Sequence, residues 1–395
     1  MLDRMIHHLC STIAFFLGIF LYLSPQAQTA IGASNISEIL TRAGVGFVTI
    51  VGVLISFSLI PFQRIDQLSI FSISDYFLKN KKTQFILTYM FLFPLFTYIS
   101  AIDNIFLEKK VLFPLWIFGF GIGLDCLREY YYKVCYLIDP FKRVSYLEER
   151  GMFVINKQQY ESLNKKIVQA SEATYQAIQN KNIVLSEHII AIIKRLACYF
   201  LKSVKNVNLN KARGHYKRKE KIYDDNSILS SFCSHLEFIF NAAIKYKFED
   251  SCNQVLTSLS VITIYTLELK PSLPSSKWTS FTLLPLNSIQ YCLSKAKKLS
   301  LGSIIESSSG ALKALLLELY ENTEKYPHIE EEGKYIIDLL TQCSDHPNNL
   351  GRILPFFQDF QQLLQSSEKS IRSDLQSISQ YLEEIIPLLS SSKRT

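Results

Sequence analysis

Two short runs set a thiol beside an imidazole: Cys233-Ser234-His235 and Cys343-Ser344-Asp345-His346. Such neighbours become a metal centre only when other ligands converge on them, and a structural zinc site needs four. Each run stands alone. The eight cysteines, at 10, 126, 135, 198, 233, 252, 292 and 343, contain no CxxC and no regular spacing. That pattern argues against a zinc knuckle and against a disulfide framework. The carboxylates Glu148-Glu149, Glu330-Glu331-Glu332 and Glu383-Glu384 are consecutive. On a helix they point in different directions, so they read as solvated surface rather than as acid–base pairs. Gly119-Phe120-Gly121-Ile122-Gly123 is glycine-rich but lies inside an apolar stretch, without the strand and helix that a phosphate loop requires. No GxxxxGK, GxSxG or HExxH motif occurs. The sequence nominates no catalytic residue, no metal site and no cofactor, and the chain reads as something other than an enzyme.

Positive charge offers binding instead. Residues 202–221 hold Lys202, Lys205, Lys211, Arg213, Lys217, Arg218, Lys219 and Lys221 against one acid, Glu220. A solvated loop is the common fate of such a run. With a membrane nearby, Lys211, Arg213, Lys217, Arg218, Lys219 and Lys221 would contact anionic lipid, as would Lys79, Lys81 and Lys82. Nucleic acid is not expected as a partner. The net charge is only +7, spread over the chain, and only Tyr216 in the run and Tyr223 just beyond it supply aromatics.

The elements that carry these residues follow from composition. Of 395 residues, 48% are hydrophobic and 19% charged, and the mean hydropathy is +0.13. That excludes a disordered chain and is unlike an ordinary soluble enzyme. With 14 Gly and 12 Pro, a turn-rich β-sandwich is disfavoured. The apolar surplus lies in residues 1–150, which form the expected transmembrane region. A spanning helix needs about 20 mostly apolar residues, and four candidates occur, at about 8–24, 43–62, 85–104 and 111–130. The fourth is the least clean and borrows Cys126, Leu127 and the tyrosines beyond. The first has a rival reading as a cleavable signal peptide, given Arg4 and the small residues Ala27, Thr29, Ala30 and Ala33, but no clean cleavage site follows its core.

Basic residues orient the spans. With the N-terminus inside, Arg4, Arg64, Lys79, Lys81, Lys82, Arg128, Lys133, Lys142 and Arg143 are cytoplasmic, and only Arg42, Lys109 and Lys110 lie outside. The expectation is a multi-pass protein of a bacterial inner membrane with both termini cytoplasmic. Gly52 with Ser56, and Gly119 with Gly123, are small-xxx-small pairs suited to helix packing or to a homo-oligomer. Pro94 should kink the third span. Asp103 and Asp125 sit near span ends, where interfacial solvation accounts for them. Tyr130, Tyr131, Tyr132 and Tyr136 read as an interfacial belt.

The stretch from Ser56 to Gln84 resembles a family of bacterial multi-span membrane proteins classed as a domain of unknown function. The residues that carry the resemblance are Ser56, Gln63, Phe77-Leu78-Lys79-Asn80 and Thr83-Gln84. Where that family has Ser-Pro-Arg, this chain has Ile70-Phe71-Ser72. The resemblance covers about residues 40–150. It implies a membrane location and no chemistry.

Beyond Gly151 the apolar residues recur with a period near 3.6, and no alternating strand appears. Ile189, Ile192, Ile193, Leu196 and Phe200 share a face, as do Leu229, Phe232, Leu236, Ile239 and Ala243, and Ile305, Leu312, Leu315, Leu316 and Leu319. Breaks are expected at Asn206–Asn210, Lys270–Pro274, Tyr326–His328 and Asp345–Asn349. A faint echo links the helix ends at Ala177-Ile178, Ala243-Ile244 and Ala296-Lys297, which suggests helical hairpins stacked as a solenoid or folded as a bundle. Ile371, Leu375, Ile378, Leu382, Ile385 and Leu389 form a seam on the last helix that should pack on its own domain, and Pro387 should end or kink it. The fold class is all-α: a four-helix transmembrane region, then a cytoplasmic helical domain at 151–395. That domain would bind a protein partner. The rival role is an oligomeric channel or transporter gated by it.

Overall fold

The computed structural model describes residues 9–24, 33–66, 81–101, 109–212, 225–269, 278–326, 329–366 and 372–392. Among them there are fourteen α-helices and no strand. The chain forms two compact units, residues 1–143 and 144–395. The division falls inside one helix, Pro140–Asn156.

The first unit holds α1 (Leu9–Leu23), α2 (Ala33–Asp66), α3 (Lys81–Ala101) and α4 (Lys109–Ile138). Helix α4 packs against the other three, and α2 packs against α3. Leu40, Phe47, Met90, Phe93, Trp116 and Tyr130 form the core of this unit. Its surface is inverted relative to a water-soluble bundle. Phe16, Phe20, Leu23, Val45, Phe85, Phe91 and Tyr98 are each 60% exposed or more, whereas Thr83, Thr97 and Asp125 are buried. The buried hydroxyl of Thr97 is satisfied twice: it donates to the Phe93 carbonyl at 2.9 Å and accepts from Trp116 Nε1 at 3.0 Å. Pro94 and Pro114 lie inside α3 and α4 without ending them.

By length and composition three described helices could cross a membrane, over Glu38–Ser56, Val111–Cys135 and Asn226–Tyr246. The expected four are met in this way only at the second and fourth positions. Helix α1 is 15 residues long, and α3 opens on Lys81-Lys82 and carries Thr, Tyr and Pro along its length. The third qualifying helix belongs to the second unit and is half buried there.

That second unit begins within α5 (Pro140–Asn156), whose start Asp139 caps by accepting from the Phe141 N–H at 2.9 Å. It continues through α6 (Tyr160–Gln179), α7 (Ile183–Ala212), α8 (Asp225–Tyr246), α9 (Glu249–Leu269), α10 (Trp278–Lys298), α11 (Gly302–Glu321), α12 (Glu330–Ser344), α13 (Pro347–Ser366) and α14 (Ser373–Ser392). Helices α6, α8, α10, α12 and α14 pack successively in one layer, and α7, α9, α11 and α13 in a second. Helix α5 joins the second layer by pairing Glu148 with Arg195 of α7 through two hydrogen bonds, at 2.6 and 2.8 Å. This is the stacked-hairpin arrangement, in which each helix buries its apolar face on its neighbours. All fifteen residues assigned above to the three apolar faces are buried. The α14 seam is buried at Leu375, Ile378, Leu382 and Leu389 against α12 and α13, while Ile371 lies outside the described residues.

One turn recurs. Gln158, Lys181, Lys247 and Ser300 have φ of 56°, 58°, 62° and 54°. At each, the following N–H reaches the carbonyl five residues back. These bonds run from Gln159 to Val154, Asn182 to Ala177, Phe248 to Ala243 and Leu301 to Ala296, at 2.8–3.1 Å. This is the Schellman geometry, which satisfies carbonyls that a helix end leaves open. The echo at Ala177, Ala243 and Ala296 is therefore the acceptor of one repeated cap.

One break was expected in the wrong place: Asn206–Asn210 lies inside α7, because asparagine only mildly disfavours a helix and no Gly or Pro accompanies it. Pro387 does not end α14, which runs on to Ser392. Of the other breaks, 270–277 and 327–328 lie outside the described residues, and Pro347 opens α13 at the first helical position, where its missing N–H costs nothing.

A left-handed conformation strains a lysine and suits a glycine. Lys181→Gly and Lys247→Gly should each raise stability by about 0.5–1 kcal/mol. Lys194→Gly, inside α7, should lower it by about 1 kcal/mol. Urea midpoints followed by circular dichroism check both signs.

Candidate functional site

In the first unit the helices α1 and α4 approach closely because small residues face each other. A Cβ on Gly121 would lie 2.8 Å from the Cys10 carbonyl oxygen and would also strike Ala14, and one on Gly18 would lie 3.0 Å from the Pro114 carbonyl oxygen. Ser11, Ala14 and Gly18 thus make a small-residue stripe along α1. The closeness brings the start of α1 to Asp125, whose Oδ2 accepts the Ser11 N–H at 2.9 Å. Asp125 thus ties α4 to a backbone donor of α1.

Asp125 is only 8% exposed, which corrects the expectation of an interfacially solvated carboxylate. Its second oxygen, Oδ1, is buried without a hydrogen-bond partner. The carboxylate lines a cavity of about 180 Å³ together with Ser11, Lys82, Phe85, Cys126 and Glu129. Lys82 donates to Glu129 at 2.9 Å across this cavity mouth, and Lys133 donates to the buried Thr83 hydroxyl at 2.9 Å. Next to it, Phe85, Thr88, Tyr89, Leu92, Phe96 and Phe118 line an apolar groove of about 380 Å³. Tyr89 closes part of its floor by donating to the Gly119 carbonyl at 2.7 Å.

Several residues of this site carry other roles than their sequence pattern implies. A Cβ on Gly119 would meet Phe93 at 2.8 Å, and one on Gly123 would meet Phe47 at 2.9 Å, so both glycines admit aromatic rings rather than a helix backbone. The close backbone contact is at Gly121, between them. Gly52 meets nothing within 4 Å, and the Ser56 hydroxyl returns to the Gly52 carbonyl at 2.8 Å. Lys81 is exposed, and Lys82 is held by Glu129. Lys211 lies in the last turn of α7, but its side chain, with Lys79, Arg213, Lys217, Arg218, Lys219 and Lys221, lies outside the described residues. The buried Asp125 was the residue missed; the signal was the Ser11, Ala14, Gly18 spacing opposite the middle glycine of the run at 119–123.

The second unit carries a row of aromatic side chains on the layer of α6, α8, α10, α12 and α14. Tyr175 and Phe238 lie with ring centroids 5.7 Å apart. Asn241 donates to the Tyr291 hydroxyl at 2.9 Å. Tyr335 reaches Asn287 and Gln290 at 2.7 Å, and Tyr381 donates to Asp338. Lys245, Lys295 and Lys334 stand 5.6, 5.7 and 5.8 Å over the rings of Tyr246, Tyr291 and Tyr381. One aromatic or amide contact thus links each helix of the layer to the next.

Chemistry is not assembled in this unit among the described residues. Ser171 lies 2.9 Å from His235 Nδ1 but is buried and donates its proton to the Val168 carbonyl at 2.9 Å, so it is not poised as a nucleophile. Burial pushes the thiols of Cys233, Cys252 and Cys343 up to about 12, which keeps them protonated and inert. Glu332 departs from the solvated reading given to the consecutive acids: it is fully buried and accepts from Thr282 at 2.6 Å. Among the described residues no group of three or more His, Cys, Asp or Glu could hold a metal ion.

No family model matches the chain, and no curated protein is similar to it. A solved structure described as a circular tandem repeat protein with novel repeat topology and enhanced subunit contact surfaces is similar at 13% identity and a TM-score of 0.41, over 96% of this chain and 84% of the other. The two-layer stack described above stands on this chain's own helix contacts.

Gly121→Ala forces two helix backbones apart, whereas Gly119→Ala asks only a Phe93 ring to move. The first should cost about 1–3 kcal/mol and the second clearly less. Thermal unfolding of the detergent-solubilised protein, followed by trypsin resistance, gives the order.

Proposed function

We propose that this chain is a multi-pass membrane protein of a bacterial inner membrane that anchors a cytoplasmic α-helical stack, and that the stack binds a partner protein. The observation that carries the reading is the inverted first unit, with large apolar side chains outside and Thr83, Thr97 and Asp125 within. Water disfavours so large an apolar surface, whereas lipid accepts it, and helices are suited to lipid because they satisfy their own backbone. Four spans, α1 to α4, with both termini cytoplasmic, agree with the nine-to-three distribution of basic residues. Anionic lipid would be held by Lys79, Lys81 and Lys82 and by the run from Lys211 to Lys221. The resemblance over residues 40–150 to a bacterial membrane family points the same way.

The stack offers an aromatic row with lysines laid over the rings of Tyr246, Tyr291 and Tyr381, and tyrosine is enriched at protein-binding surfaces. No catalytic role is assigned. A second reading, an oligomeric channel gated by the stack, draws on Gly52 and Ser56, which face open space on α2 and are free to meet another copy.

Reporter fusions after Asn35 and after Lys82 should report opposite sides of the membrane; the same side for both overturns the four-span topology. Liposomes carrying the full-length protein should pass neither ions nor small solutes, and protein lacking residues 140–395 should be equally silent. Flux that changes on removing the stack would replace the platform with the channel.

A further inference from the structure

We propose that the cavity at Asp125 binds the headgroup of an ethanolamine phospholipid, with one acyl chain lying in the adjoining aromatic groove; this rests on the bilayer reading given above. Three observations converge. Asp125 is an almost fully buried acid in the wall of the cavity, and such a group is stabilised by a donor that reaches it. The cavity wall has both signs of charge, Asp125 and Glu129 beside Lys82. A zwitterion fits that wall: an ammonium group turns its N–H donors to the acids, and a phosphate turns its oxygens to Lys82. A choline headgroup carries the same charge but no N–H, so it offers the acids no hydrogen bond. An anionic glycerol headgroup meets two carboxylates and one lysine, an unfavourable balance. The Cys10 thiol adjoins the same carboxylate and is too weak a donor to replace an ammonium.

The groove supplies the rest of the ligand. Phe85 lines both the cavity and the groove, so the two adjoin. From Phe85 to Phe96, α3 rises about 16 Å, close to half of the ~30 Å hydrocarbon core. One acyl chain of one leaflet has that reach. The polar cavity sits at the Lys82 end of α3 and the aromatic walls run away from it, which matches a lipid with its headgroup at the cytoplasmic surface. Tyr89 is already bonded to the Gly119 carbonyl, so the groove offers a chain only apolar contact.

The test uses full-length protein in vesicles of choline, ethanolamine and glycerol phospholipids with identical chains in equal parts. Protein extracted in mild detergent is weighed by native mass spectrometry to count retained lipid. The wild type should keep the ethanolamine lipid about tenfold over the choline lipid, the scale of one charge-assisted hydrogen bond. Asp125→Asn should lose that preference, and Thr88→Trp, which fills the groove, should lose retention about tenfold without touching the headgroup cavity. Equal retention of the three lipids by the wild type overturns the proposal, as does a preference for the glycerol lipid, which would leave Lys82 a plain anion contact. A preference that survives in both variants overturns it too. Co-flotation with the vesicles and resistance to alkaline carbonate report the bilayer reading separately: protein that fails both fails that reading, whatever lipid it carries.

Discussion

Every helix leaves N–H groups at its start and carbonyls at its end without partners, and in this protein those orphan groups decide how the helices are joined. In the first unit a backbone N–H of α1, at Ser11, is bound by Asp125 of α4, across 114 residues of sequence. That bond needs the backbones of α1 and α4 in contact, and the contact needs Gly121 and Gly18. In the second unit the ends of α5, α6, α8 and α10 close with one repeated turn, each with a residue in the left-handed region. The same requirement is met by a distant side chain in one unit and by local backbone in the other.

The two units bury their side chains by opposite rules. In the stack, apolar residues go inside and the links between successive helices are polar or aromatic: Ser186 to Ser251, Glu237 to Ser288, Glu330 to Ser377. Each such link spans roughly one repeat, so the stack is stitched by nearest-neighbour contacts, as in other solenoids. In the first unit large apolar side chains such as Phe16, Phe20 and Phe91 face outward, while Phe47, Phe93 and Trp116 fill the core. The buried threonine among them is satisfied twice, by the Phe93 carbonyl and by Trp116.

This difference explains what hydropathy reads well and what it misreads. Helix α8 is apolar enough to span a bilayer, yet it lies in the stack between α6 and α10. A middle helix of a two-layer stack is covered on several sides, so its sequence approaches that of a span. Conversely, α3 begins with two lysines and holds threonines and a proline, and it sits among helices with the same exposed apolar surface. Average hydropathy reports how much of a helix avoids water, without saying whether protein or lipid covers it.

The sequence by itself determined the helical class, the apolar faces of the stack and, through the echo at Ala177, Ala243 and Ala296, the caps of its hairpins. These are local matters, fixed by periods of 3.6 residues and by hydrogen bonds within five residues. Only the tertiary structure decided that Asp125 is buried, that Glu332 is too, and that Gly121 rather than Gly119 or Gly123 meets a helix backbone. Each of those depends on which other helix lies opposite, across distances of 50 to 114 residues. Periodicity tells a residue which face of its own helix it occupies; burial and partnership are set by the neighbour that covers the face.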